Sequence, residues 1–187
     1  VHAPAGRPVQ PRLSIDLGGS SEIVHGALLV SGRTRDVALN PLVTRMITDS
    51  VSLASEPPFE GVAFYPGRIV AVNRLLRVEG DLLQRLVVVP GQFRPTSGAA
   101  PATGTQRLWD QMKIVTYHTP FAVTDFTQPN LWRAEARRAG GAVRFSVTAT
   151  DAGGVDRVVI VYRVAGSSEW RSVDLALTAP DSGTWTG

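Results

Sequence analysis

The chain has 187 residues, 43% of which are hydrophobic, and its formal net charge is only +3. This length and composition allow one large or two small globular domains and exclude a compositionally disordered chain. The small, scattered positive excess is not the charge pattern of a nucleic-acid-binding protein, and the absence of any run of about 18 apolar residues argues against a membrane span.

Cysteine is absent from the chain. The chain therefore has no disulfide bond, no thiol nucleophile and no thiolate ligand for zinc. The sequence opens on Val1 without a charged and then apolar leader, which favours a mature or excised N-terminus.

Proline and apolar alternation divide the first 120 residues into an arm and a series of short strands. Residues 1–12 contain three prolines, so we expect an extended arm that is either loose or laid over another surface. The runs that follow are rich in β-branched residues and end at Gly, Pro or Asn turn signals, which predicts strands. The predicted strands cover residues 13–17, 23–30, 36–39, 42–53, 61–65, 68–78, 82–89 and parts of 106–118.

Several turn signals separate these strands. The pair Ser31-Gly32 is expected to end the strand 23–30, and Gly80 is expected to form a hairpin turn. The small-residue segment 96–105 is expected to be a loop.

A second unit is predicted after a linker at residues 121–130, where prolines interrupt the alternation. In the segment AVRFSVTAT, residues Val143, Phe145, Val147 and Ala149 fall on one face, which is typical of a half-buried strand. The segment RVVIVYRV is apolar on both faces, as in a central strand. With WRSVDLAL and TWTG, these segments recur about every 8 to 12 residues, the spacing of a β-sandwich.

Residues 65–118 resemble the propeptide of gingipain-type cysteine proteases. The matching positions are Tyr65-Pro66, residues 87–90, Phe93-Arg94-Pro95 and Arg107-Leu108-Trp109. The resemblance implies a β-domain that shields or accompanies a protease domain. Because the chain lacks cysteine, it cannot itself carry out the Cys–His reaction.

Residues 131–187 are similar to the Ig-like repeats of large bacterial surface and secreted proteins. The matching segments are VRFSVTATDAGGVDRVVIVYR, EWRSVDLAL and SGTWTG. This resemblance implies an Ig-like sandwich without an activity of its own, in an extracellular or cell-surface location.

No motif predicts an enzyme or a cofactor. The three histidines, His2, His25 and His118, lie far apart and form no HExxH or His-x-His pattern, and no GxSxG nucleophile motif is present. Asp151, Asp156 and Asp181 lie in predicted turns and are weak calcium candidates. The alternative is that aspartate is there because it tolerates turn geometry.

Aromatic side chains are the candidate interaction residues. Trp132, Trp170 and Trp185 would suit a carbohydrate-binding or adhesive surface, but aromatic residues at alternate strand positions also fill sandwich cores. The arginines at positions 74, 77, 85, 94 and 107 could form a basic face for a polyanionic glycan, but solvated outward positions explain them without a ligand, and we favour that interpretation.

We therefore predict an all-β chain with two β-sandwich-like domains, residues 13–120 and residues 131–187, the second of them Ig-like and incomplete. An Ig-like sandwich takes about seven strands, and residues 131–187 supply about four. We expect the strand of Trp185 to be completed by further chain or by a neighbouring subunit.

Three functions remain open from the sequence. The first is a non-enzymatic structural or interaction segment of a secreted or cell-surface bacterial β-protein, acting through strand pairing and sandwich packing. The second is a propeptide-like partner of a protease domain, and the third is a carbohydrate-binding or adhesive module.

Overall fold

The computed structural model describes residues 6–18, 22–41, 43, 59, 61–78, 80, 82–97, 103–120 and 127–187. Within these residues the only helical element is one 3-10 turn, Pro180–Ser182, so the predicted all-β fold is confirmed. No helix in the described part of the chain has the length and apolarity to cross a bilayer. The strands are β1 Leu13–Asp16, β2 Glu22–Leu39, β3 Val70–Leu76, β4 Leu82–Val88, β5 Gly91–Ser97, β6 Thr103–Pro120, β7 Asn130–Ala139, β8 Ala142–Thr150, β9 Val158–Arg163, β10 Glu169–Ala179 and β11 Thr184–Thr186.

A three-stranded antiparallel sheet, in the order β1-β4-β3, covers part of a larger sheet. The buried Val70, Leu86 and Val88 of the small sheet pack against apolar residues of β2 and β6. The buried Gln84 side chain joins the layers: its amide donates to the Glu22 carbonyl at 2.9 Å and accepts from the Val24 N–H at 2.7 Å. This region is sandwich-like, as predicted.

The larger sheet has eight strands in the order β5-β6-β2-β10-β11-β8-β7, with β9 paired to β10. Its longest strands, β2 and β6, each run for 18 residues and pair with each other along their length. The predicted strand end at Ser31-Gly32 is therefore wrong. The pairing is only irregular near this point, between Leu29 and Ser31 and again between Arg33 and Thr34.

Gly32 is present for close packing and does not form a turn. A Cβ at this position would lie 2.6 Å from the Gln111 carbonyl oxygen and 2.9 Å from the indole of Trp109. The sequence signal was misread because a glycine in a strand marks either a turn or a close approach of neighbouring groups.

At Gly32, β2 also pairs with β10, a strand from the second half of the chain. Trp170 of β10 pairs with Gly32, and Glu169 pairs with Arg33. Trp170 also packs against Trp109, with ring centroids 5.6 Å apart. Residues from both predicted domains thus share one sheet, while the division into an arm, two domains and a linker stays a prediction.

A second small sandwich forms from β7 to β11, where five strands replace the four expected. The strand of Trp185, β11, lies between β10 and β8 and pairs with both, so the expectation that further chain or a neighbouring subunit completes this strand is wrong. Val147 and Ala149 of β8 and Trp185 of β11 pack against Val158 of β9 and Leu175 of β10. Strand β9 pairs only with β10 among the described strands, so the central position that its apolar sequence predicted is wrong. Its apolar character is explained by Val158 and Ile160, which pack into this core.

Other local predictions have mixed outcomes. Gly80 forms the expected turn with φ +88°. The predicted strand 61–65 is reduced to one bridge between Tyr65 and Phe93.

Within the predicted arm, the buried Gln10 exchanges side-chain hydrogen bonds with Gln106. The predicted strand 42–53 lies outside the described residues except for Val43.

An ion pair spans β2 and β6. Arg107 is buried, and its Nε and Nη2 donate to the two carboxylate oxygens of Asp36, each at 2.9 Å. These hydrogen bonds lower the pKa of the Asp36 carboxyl, and partial burial opposes the effect. The pair holds β2 and β6 together where Asp36 and Arg107 lie directly opposite each other.

We expect Gly32→Ala to lower the free energy of unfolding by about 1–3 kcal/mol, because the new methyl group overlaps a carbonyl and an indole. Gly26→Ala in the same strand is the matched control, because nothing lies within 4 Å of its Cβ position. Urea unfolding of both variants measures the difference. Equal stabilities for the two variants would refute the packing role of Gly32.

We expect Asp36→Asn to destabilise the protein by about 1–3 kcal/mol at pH 7, because it removes the charged partner of a buried guanidinium. The pKa of Asp36 is lower in the folded protein than in the unfolded chain. Its contribution is therefore present above about pH 4 and is lost as the pH falls through the folded pKa. Urea unfolding at several pH values should show the two proteins converging in acid, and a constant difference down to pH 2 would contradict this.

Candidate functional site

The most exposed strand of the large sheet is β7. It lies at one end of the sheet and pairs only with β8 among the described strands. Nine of its ten residues are exposed. A strand with one unpaired edge carries free backbone donors and acceptors and is a ready template for another strand.

The unpaired edge of β7 can be assigned from its neighbours. Phe145 of β8 exchanges two backbone hydrogen bonds with Gly187, so its N–H and C=O point away from β7. The adjacent Arg144 and Ser146 therefore point their backbone groups toward Arg137 and Glu135, which lie opposite them. It follows that Ala134, Ala136 and Arg138 direct their backbone N–H and C=O groups to the open edge. We call residues 133–139 the β7 edge.

The β7 edge borders an apolar face that nothing in the described chain covers. Ala134 lies opposite Val147 and Ala136 lies opposite Phe145, so both alanines share the face of the sandwich core. Both are nevertheless exposed. Leu131 and Val143 continue the same face and are 71% and 51% exposed. Strands β9 and β10 thus cover β8 and β11 but leave β7 open.

The opposite face of the β7 edge is charged. Glu135 contacts two arginines of its own strand, Arg133 at 3.2 Å and Arg137 at 2.7 Å. Arg144 of β8 lies opposite Arg137. This alternation of one acidic and several basic side chains restricts which strand can pair here, because like charges directly opposite each other are destabilising.

The three candidate tryptophans lie in different surroundings. Trp185 is buried in the core of the second sandwich, and Trp170 packs between Trp109 and the guanidinium of Arg163. Their indole nitrogens are buried and have no hydrogen-bond partner among the described residues. Trp132 is 74% exposed at the start of β7, where its indole N–H donates to the Thr150 hydroxyl at 3.3 Å. Of the three, only Trp132 is largely exposed.

The calcium candidates are only partly brought together. Asp151 and Asp181 line one small cleft beside Trp185, and Asp156 is not among the lining residues. Asp151 accepts a hydrogen bond from the Gly153 N–H at 3.0 Å, which is the turn role expected of aspartate. Within the described residues, no group of three or more potential metal ligands occurs.

The histidines lie on β2 and β6. His25 contacts the Thr119 hydroxyl at 2.5 Å, and His118 lies 3.2 Å from the Glu22 carboxylate. His2 lies outside the described residues. The segment RAEARR, residues 133–138, could be read as helical, but it sits where a first sandwich strand is needed, and the structure forms β7 there. Sequence reasoning missed the open edge of β7, because the pattern of one strand does not say which strands flank it.

No protein-family model, curated protein or solved structure matches this chain.

Proposed function

We propose that this chain is a non-enzymatic structural and interaction segment of a secreted or cell-surface bacterial β-protein, and that it acts through strand pairing at the β7 edge. The observation that carries the proposal is the exposed edge strand beside an uncovered apolar face. Such a strand gains main-chain hydrogen bonds and buries apolar area when another strand is added. Labelling of intact cells with a reagent that does not cross the membrane tests the proposed cell-surface location.

The partner that fits best is the β7 edge of a neighbouring subunit, related by a twofold axis through Ala136. In this antiparallel register Ala136 faces its own copy, and Ala134 faces Arg138 of the neighbour. These are the residues whose backbone groups point outward, so each of these pairs can exchange two hydrogen bonds.

Charge selects this register. With the axis at Ala136, Glu135 of each subunit faces Arg137 of the other, which gives two opposite-charge pairs. An axis at residue 135 or 137 would instead place Glu135 against Glu135 or Arg137 against Arg137. An axis at residue 134 would place the irregular segment between Leu131 and Arg133 inside the paired region. An axis at Ala136 uses residues 133–139, which pair with β8 without a break.

The pairing would also extend the apolar face. Ala136 and its copy would lie between the two Phe145 side chains, so the open faces of the two small sandwiches would join. An isologous contact of this kind closes on itself and gives a dimer of defined size.

We expect Ala136→Cys to form a disulfide-linked dimer under mild oxidation, because the two Cα atoms would be about 5.5 Å apart, inside the range for a disulfide. Ala134→Cys is the matched control, because its two copies would be more than about 13 Å apart along the strands. The chain has no other cysteine. Non-reducing gel electrophoresis reads the result. Equal crosslinking of both variants would refute the register. So would the absence of an Ala136→Cys crosslink together with a light-scattering mass that corresponds to a monomer.

We expect Arg137→Glu to weaken dimerisation about tenfold, because it turns two opposite-charge pairs into two like-charge pairs. The double variant Glu135→Arg, Arg137→Glu restores the pairs and should recover dimerisation. Arg144→Glu carries the same charge change on β8, away from the edge, and serves as control. Analytical ultracentrifugation gives the dissociation constants, and failure of the double variant to recover would count against charge pairing.

A further inference from the structure

A second surface, independent of the β7 edge, lies where β2, β5 and β6 meet the turn between β9 and β10. This open cleft has a volume of about 630 Å³. Its lining residues are Thr34, Asp36, Phe64, Arg94, Arg107, Arg163, Gly166, Ser167 and Ser168. Three guanidinium groups and one carboxylate give the lining a net charge of +2. We call it the arginine cleft.

Packing on the Phe64 ring holds two of the three arginines in place. The guanidinium carbon of Arg107 lies 3.9 Å from the centre of the Phe64 ring, and that of Arg94 lies 4.9 Å from the same centre. Stacking on an aromatic ring fixes the plane of a guanidinium while its N–H donors remain available in that plane. Arg94 and Arg107 are thus positioned before any ligand arrives.

The third arginine is fixed from the other half of the chain. The guanidinium of Arg163 lies 5.4 Å from the Trp170 ring centre, and its Nη1 donates to the Ser167 carbonyl at 3.2 Å. The β9–β10 turn that carries Ser167 is itself bound to β2. The backbone N–H and the hydroxyl of Thr34 both donate to the Ser168 carbonyl, at 2.9 and 3.2 Å.

Most of the guanidinium donors in the cleft are unused. Asp36 occupies only Nε and Nη2 of Arg107, and Ser167 occupies only Nη1 of Arg163. The guanidinium of Arg94 is exposed and donates no hydrogen bond to any described residue. Asp36 is the only acidic residue in the lining, so one carboxylate faces three cations.

We propose that the arginine cleft binds a tetrahedral oxyanion with a double negative charge, namely a phosphate or sulfate group. A dianion matches the net charge of the lining, and its several oxygens can accept from the free donors of Arg94, Arg107 and Arg163 together. Guanidinium donors held in fixed planes are the usual protein ligands for such groups, and their charge-assisted hydrogen bonds are stronger than neutral ones.

Calorimetric titration of the full chain with sodium sulfate, at constant ionic strength in chloride buffer, tests the proposal. We expect saturable binding at one site per chain, and weaker binding of sodium acetate, which carries one charge. Arg94→Gln and Arg163→Gln should each weaken sulfate binding about tenfold. Both side chains are exposed, so neither change removes a buried side chain.

Arg74→Gln is the matched control, because Arg74 is an exposed arginine on β3 and is not part of the cleft lining. Retained affinity in this variant, with loss in the two cleft variants, supports the site. Non-saturable binding, or an equal loss in Arg74→Gln, would show only a general response to charge and would overturn the proposal.

Inorganic phosphate and phenyl phosphate distinguish the source of the anion. Tighter binding of phenyl phosphate would indicate an esterified phosphate, and tighter binding of inorganic phosphate would indicate a free anion. Either result agrees with the site, and the absence of binding by both compounds and by sulfate would refute it. Because dimerisation through the β7 edge uses none of these residues, the two proposals fail or succeed separately.

Discussion

The close approach of β2, β6 and β10 at Gly32 is the constraint on which the rest of the structure depends. Only a residue without a side chain lets the Gln111 carbonyl and the Trp109 indole approach β2 as closely as they do. Trp170 then pairs with Gly32 and packs against Trp109. This contact joins the second half of the chain to the sheet of the first half.

Strand β10 is long enough to connect the contact at Gly32 with the second small sandwich. Its first residues pair with β2, its middle pairs with β9 along residues 170–175, and its last residues pair with β11. One strand therefore contributes to the junction and to the core of the second sandwich. Since β9 and the middle of β10 cover only β8 and β11, β7 is left with an open edge and an uncovered apolar face. The proposed assembly surface is thus a consequence of how the core is closed.

The arginine cleft has the same origin. Asp36 and Arg107 face each other because β2 and β6 pair in register, and Arg163 reaches them because β10 is fixed at the junction and brings the β9–β10 turn with it. Stacking on Phe64 and Trp170 orients the guanidinium groups, while a single carboxylate neutralises one of three charges. The cleft is prearranged by contacts that also stabilise the fold, so an anion would meet ordered donors with little further loss of side-chain entropy.

By itself, the sequence determined the all-β class, the Gly80 turn and the alternation that buries Val147 and Ala149, because these depend on residues close together along the chain. It misjudged Gly32 and β9, because a glycine signal does not say whether space is needed for a turn or for a neighbouring strand, and an apolar run does not say which strands flank it. The β7 edge and the arginine cleft were decided by tertiary structure alone. The β7 edge is open because β7 pairs with β8 alone among the described strands. The arginine cleft depends on contacts across more than 100 residues of sequence, such as that of Thr34 with Ser168. No local pattern encodes either choice.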